Sequence, residues 1–268
     1  MNFFSRWRRQ RLLQRHAIPE ALWQEALAAL PFLARWPPSE LEALRRVTVL
    51  FLCEKNIVGA HGFEVTPFHQ VVVAAQACIP ILKLGLECYE DFKTVVLYSG
   101  EFINPTEWED EDGFVHRDEA PMKGEVMPGG PVVLSWADAL AYPHEGEGDN
   151  TEEGDEVHTD AHCPVNVVIH EFVHKLDMRN GEANGCPPLP PALSAARWEK
   201  TMQCAYRDFC RRVDAEEALT LDTYAAEHPS EFFAVLSETF FVAPAHLREA
   251  YPDVYECFRL FYGFEVSA

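Results

Sequence analysis

The sequence predicts an α+β chain: a small mixed sheet, an active-site helix and further helices at both ends. Three observations predict it. Short β-branched runs alternate with helical segments in the amino-terminal half, long amphipathic stretches dominate the carboxy-terminal half, and His170, Glu171 and His174 stand at H-E-x-x-H spacing in one such stretch. With 268 residues, 48% of them hydrophobic, the chain can bury a large core, and we read 1–268 as one unit with helical decoration at its ends. It contains no internal repeat.

Taken in order, the elements begin with a basic run from Arg6 to Arg15, read as a solvated or frayed terminus, with an interaction helix or membrane-surface segment as the functional alternative. Pro19 to Leu33 and Pro38 to Arg46 carry helical patterning with proline at the entry. Val47–Leu52 is read as a strand, and so is Thr94–Tyr98, which Ser99 and Gly100 end. Gly129 and Gly130 form a turn before the short strand that ends at Trp136; it is either a core strand or an edge to which an extended peptide adds. Ser194 to Val213 places Trp198, Met202, Ala205 and Phe209 on one helical face, and a last strong helix runs from Pro229 to just before Pro244.

The chemistry concentrates at residues 170–174. Residues four apart project from one helix face, so His170 and His174 can grip a tetrahedral Zn²⁺ while Glu171 lies beside its water as general base. Val165, Val168, Ile169, Phe172, Val173 and Leu176 form the apolar stripe, leaving His170, His174 and Asp177 on the face turned from the core. Pro164 suits the first turn, and Asn180-Gly181 the stop. The bland alternative is a solvated helix face with unrelated polar groups. A catalytic zinc also needs a third protein ligand and an open position. Glu231 leads on geometry. Asp177 shares the helix of both histidines and better suits orienting an imidazole or capping a neighbour; Glu238, on the face of Glu231, suits a hydrogen bond to a ligating histidine; His228 also competes.

The string from His170 to Asp177, followed by Tyr224 and then Glu231-Phe232-Phe233-Ala234, resembles the Mlc titration factor A family of bacterial zinc metallopeptidases, itself similar to the catalytic domain of anthrax lethal factor. The resemblance extends over most of the chain, including Gly130–Trp136. It implies a zincin-like fold of the gluzincin type with one zinc ion on His170, His174 and Glu231, Glu171 as catalytic base and Tyr224 as transition-state stabiliser. It further implies aminopeptidase activity on small unblocked peptides and a protein partner, the glucose-responsive transcriptional repressor Mlc. Without the family spacing, Tyr224 reads as ordinary amphipathic packing.

Composition bounds the rest. A net charge of −21 argues against nonspecific nucleic-acid binding and favours cationic partners. Eight cysteines in a chain of this size without a secretion signal read as reduced thiols of a cytoplasmic protein, and Val71 to Leu82 is too short to span a bilayer. The acidic run from His144 to Asp160 is read as a solvated insertion, with attraction of basic substrates or cations as the functional alternative. His158, His162 and Cys163 match no structural-zinc spacing and stay outside the site. The Gly- and Pro-rich stretch from Arg179 to Pro191 is a loop beyond the metal helix, read as a rigid connector rather than a gate. Two function classes follow: a zinc peptidase acting on peptides, or a regulatory binding protein that sequesters a repressor and retains the metal site.

Overall fold

In a computed structural model of the chain, residues 3–103, 106–109, 115–118, 121–140 and 166–265 are described. Three helices open it: α1 (Phe3–Arg15), α2 (Glu20–Ala28) and α3 (Pro38–Glu54). The sheet region follows, with β1 (Asn56–Gly59), α4 (Pro67–Cys78), β2 (Thr94–Tyr98), the antiparallel pair β3 (Thr106–Glu109) and β4 (Val115–Asp118), then β5 (Gly124–Val126), β6 (Val132–Ser135) and α5 (Trp136–Ala139). The remainder is helical: α6 (Val167–Asp177), α7 (Ala195–Asp214), α8 (Pro229–Val242), α9 (Pro244–Ala250) and α10 (Pro252–Tyr262). This is the α+β, zincin-like arrangement the sequence predicts.

The main sheet has the order β1–β2–β6–β5, parallel as far as β6 and antiparallel at β5. Its inner strands turn apolar side chains into the core: Val95, Leu97, Val132 and Leu134 are fully buried. The strand after Gly130 is therefore interior, and the edge beside the metal helix is β5, which the sequence reading did not identify. Lys175 of α6 ties that edge down. Its ammonium, on a fully buried residue, donates to Met127 O at 2.8 Å and Gly130 O at 3.0 Å and pairs with Asp91 at 3.2 Å. An unpaired ammonium buried this deeply costs several kcal/mol, so these acceptors bind the β5–β6 turn to the helix.

Behind the sheet, α8 is the central helix. Phe232 through Val242 are all buried, and the polar members return hydrogen bonds within the helix: Ser237 Oγ to Phe233 O at 2.7 Å and Thr239 Oγ1 to Val235 O at 2.9 Å. A helix that is apolar all round belongs inside. Trp198 of α7 stacks on Phe258 of α10 and meets Phe233 of α8 edge-on, so the predicted apolar face of α7 enters the core as expected.

Three expectations are corrected. Val47–Leu52 is not a strand but the last turns of α3, where Leu44, Thr48 and Phe51 share the buried face and Thr48 Oγ1 bonds to Leu44 O at 2.9 Å. A helix already started at Pro38 continues through β-branched residues for a few tenths of a kcal/mol each, and burial outweighs that. Pro31 splits the span from Pro19 to Leu33 into α2 and a 3-10 turn, Pro31–Arg35, because its ring cannot continue the helix. The face of His170, His174 and Asp177, expected to turn from the core, is itself covered: His174 and Asp177 are buried. Residues 144–160, His158, His162, Cys163, Pro164 and Val165 lie outside the described residues.

Candidate metal centre

The site begins at the amino terminus of α6. Asn166 is the N-cap, its Oδ1 accepting the Ile169 N–H at 2.8 Å. The same residue turns two further groups into the core: its Nδ2 donates to Gln76 Oε1 at 2.8 Å, and its backbone N–H to Glu238 Oε2 at 2.7 Å. Gln76 is fully buried and donates in turn to Ala139 O at 3.1 Å. Helices α4, α6 and α8 are thus joined by one satisfied polar network that ends on Glu238.

Glu238 Oε1 meets His170 Nδ1 in a short hydrogen bond. That contact fixes the imidazole plane and directs Nε2 away from the core. One turn on, His174 presents its Nε2 to the same space, and Glu231, in the first turn of α8, closes the group. His170 Nε2 is 3.0 Å from Glu231 Oε2 and 3.0 Å from His174 Nε2, and His174 Nε2 is 3.2 Å from Glu231 Oε2. Donors roughly 2.0–2.2 Å from one tetrahedral ion stand about 3.3–3.6 Å apart, so this triangle needs to open by only a few tenths of an ångström to take one. The three residues form a cluster that can hold a metal ion.

Electrostatics reinforces the grouping. Burial opposes charge on His170, yet Glu238 and Glu231 outweigh it and hold the imidazole well above its ordinary range. Burial also pushes Glu231 upward, but hydrogen bonds from both imidazoles win and hold its carboxyl well below the usual carboxylate range. Such mutual stabilisation marks groups built to meet one another or a shared cation.

Glu171 points to the β5 side. It is buried, which raises its carboxyl pKa against the pull of the two histidines. Space for it exists because residue 124 is glycine: a Cβ there would lie 2.4 Å from Glu171 Oε1 and 2.7 Å from its Cδ. Tyr224 sits in the 3-10 turn Thr223–Ala226 with its ring 6.1 Å from that of His170, and partial burial, followed by nearby Glu231, pushes its phenol far up so that it stays protonated. A cavity of about 450 Å³ is lined by His170, Glu171, Tyr224, Gly124, Lys123 and Asp222, among others.

The other candidates separate from the site. His228 caps α8, its Nδ1 accepting the Ser230 N–H at 3.2 Å. Asp177 accepts the Gly185 N–H at 2.6 Å and so caps the following loop rather than an imidazole. That loop is pinned further by Trp198 Nε1 to Gly185 O at 3.0 Å and by a positive φ of 77° at Gly185, where a Cβ would lie 2.5 Å from Pro229 O. It is a fixed connector. Gly124, Gln76, Asn166 and Lys175 were missed from sequence; only Asn166, a capping residue ahead of an apolar run, carried a local signal.

Cys53, Cys78, Cys88, Cys186, Cys204, Cys210 and Cys257 are free thiols. No helix among the described residues is long and apolar enough to cross a membrane.

The chain matches the family described as Glucose-regulated metallo-peptidase M90 over residues 4–263. It is 36% identical over 245 residues to Mlc titration factor A of Klebsiella pneumoniae (strain 342), covering 91% of this chain and 86% of that protein. It is 37% identical over 246 residues to Mlc titration factor A of Serratia proteamaculans (strain 568), covering 90% and 86%. Against the Escherichia coli O1:K1 / APEC protein of that name, identity is 33% over 258 residues, covering 96% and 89%. With the metal-capable cluster inside the matched span, the chain belongs to the glucose-regulated metallopeptidase M90 family.

Proposed function

We propose that this chain is a zinc-dependent aminopeptidase, acting as a single catalytic unit, in which His170, His174 and Glu231 hold the ion, Glu171 is the general base and Tyr224 donates to the oxyanion. The observation that carries the reading is the convergence of His170 Nε2, His174 Nε2 and Glu231 Oε2 within 3.2 Å of one another. Two imidazoles and one carboxylate form the donor set of a catalytic zinc with an open position.

Bound zinc supplies Lewis acidity, lowering the pKa of a water to about 7 and polarising a carbonyl. Glu171 takes the proton of the attacking water and returns it to the leaving amine; burial, by raising its pKa, brings it closer to the working pH of a general base. As the carbonyl oxygen gains charge, the protonated Tyr224 hydroxyl donates a hydrogen bond to it. Strand β5, last in the order of its sheet among the described residues, brings Gly124 to the wall of the cavity beside Glu171. Glu238 keeps His170 in the productive tautomer. Free thiols at the described cysteines suit a cytoplasmic setting.

The test is hydrolysis of free and amino-blocked peptides by the wild type and by Glu171→Gln with equal bound zinc. The reading expects cleavage by the wild type alone, and cleavage of free peptides over blocked ones. Activity in neither protein overturns it. A second role is supported by the relatives' name, Mlc titration factor A: capture of an Mlc-type transcriptional repressor. This role uses surface contacts rather than the base, so Glu171→Gln is expected to retain capture of purified repressor. Loss of capture in a folded Glu171→Gln would count against separable functions.

A further inference from the structure

Asp222 borders the same cavity as His170, Glu171 and Tyr224 but has no task in the mechanism above. Its Oδ1 accepts the Tyr224 N–H at 2.9 Å and caps the Thr223–Ala226 turn. A carboxylate has a second oxygen, and among the described residues Oδ2 of Asp222 meets no donor. The neighbouring carboxylates are placed otherwise: Glu231 against both imidazoles, Glu238 against His170 and the Asn166 N–H, and Glu171 in the space left by Gly124.

Capping does not explain the charge, because serine and asparagine cap as well as aspartate. The charge also stands on a cavity wall that already carries two further carboxylates, Glu171 and Glu238. A negative group that the turn does not need, where other anions oppose it, is accounted for by a cation that arrives with the substrate. The α-nitrogen of an amino-terminal residue lies two bonds, roughly 2.5 Å, from the carbonyl carbon that is attacked. Its anchor must therefore border the cavity that holds the base and the oxyanion donor, as a residue two positions before Tyr224 does.

We propose that Asp222 anchors the protonated α-amine of the substrate and thereby makes the cleft select free peptide amino termini. This rests on the peptidase reading and names its recognition residue. A lysine side chain carries the same ammonium, so the test separates the two sources.

Metal-loaded wild type, Asp222→Asn and Asp222→Ser, both of which keep a cap, are compared on alanine anilide, N-acetyl-alanine anilide and N-acetyl-lysine anilide. The expected result is a fall in kcat/KM of about 10- to 100-fold on the free amine, with the acetylated substrates changed by no more than about threefold. Equal losses on all three overturn the proposal in favour of a structural role in placing Tyr224, and a loss confined to the lysine substrate assigns Asp222 to a side-chain pocket instead. Binding of alanine hydroxamate and of its N-acetyl derivative is measured in parallel. If the wild type cleaves nothing yet binds the free amine more tightly, and the variants lose that preference, the anchor stands while the peptidase reading falls. No preference in the wild type overturns the anchor itself.

Discussion

In the half of the cleft formed by α6 and α8, the polar groups are held from behind: Gln76 holds Asn166, Asn166 holds Glu238, and Glu238 holds His170. The half formed by β5 and the turn at 222–226 is built from short elements, and Tyr224 is 45% exposed. One half is fixed before any ligand arrives, as a metal site requires, because misplaced donors lose affinity. The other presents the last strand of the described sheet and a surface turn. The halves meet at Glu171, whose backbone belongs to the fixed helix while its carboxylate fills the space left by Gly124.

The comparison is broken most severely at that junction. Glu171→Gln is expected to lower kcat/KM by about 10²–10⁴-fold with metal content unchanged. A carboxyl whose pKa folding raises loses stability once pH exceeds its ordinary range, so the neutral amide is also expected to raise the Tm of the metal-free protein at pH 7. A metal analysis with a melting curve checks both signs. Tyr224→Phe probes the open half and is expected to cost about 10²–10³-fold in kcat, with metal affinity preserved.

Gly124→Ala tests whether the two halves are coupled. The added Cβ falls on the Glu171 carboxylate, and a displaced base is expected to cost about 10²-fold in kcat. Combining it with Glu171→Asp, which withdraws the carboxylate, is expected to cost no more than Glu171→Asp alone; additive losses would separate the strand from the base. In the fixed half, Glu238→Gln leaves the ligands intact and is expected to weaken zinc binding about 10- to 100-fold, read by chelator competition. The smallest effect is Asp177→Ala, which leaves the Gly185 N–H unpaired and is expected to lower stability by about 1–3 kcal/mol in denaturant unfolding, with kcat unchanged.

The fixed half was the legible half. H-E-x-x-H at helical spacing, the proline entry of α8 and the shared face of Glu231 and Glu238 are local patterns, so they survive as text. The open half was not, because β5 is three residues long and Gly124 has meaning only against a side chain 47 positions away. Tyr224 stood out in the sequence through the family spacing alone. The misread strand at Val47–Leu52 shows the same limit from another side: a short apolar run fits strand and buried helix equally, and only its neighbours decide.

The sequence by itself determined the metal helix, the buried face of α7, the span of α8 and the identity of the candidate donors, because helical period and capping are properties of nearby residues. Tertiary structure decided which strand forms the edge, that Lys175 binds the β5–β6 turn, that Asp177 serves a loop, and that Asp222 borders the cleft. The reason is physical. Side chains distant in sequence share a site only when burial of the apolar faces of α6 and α8 brings their elements together, and buried polar groups then take the partners that packing leaves within reach.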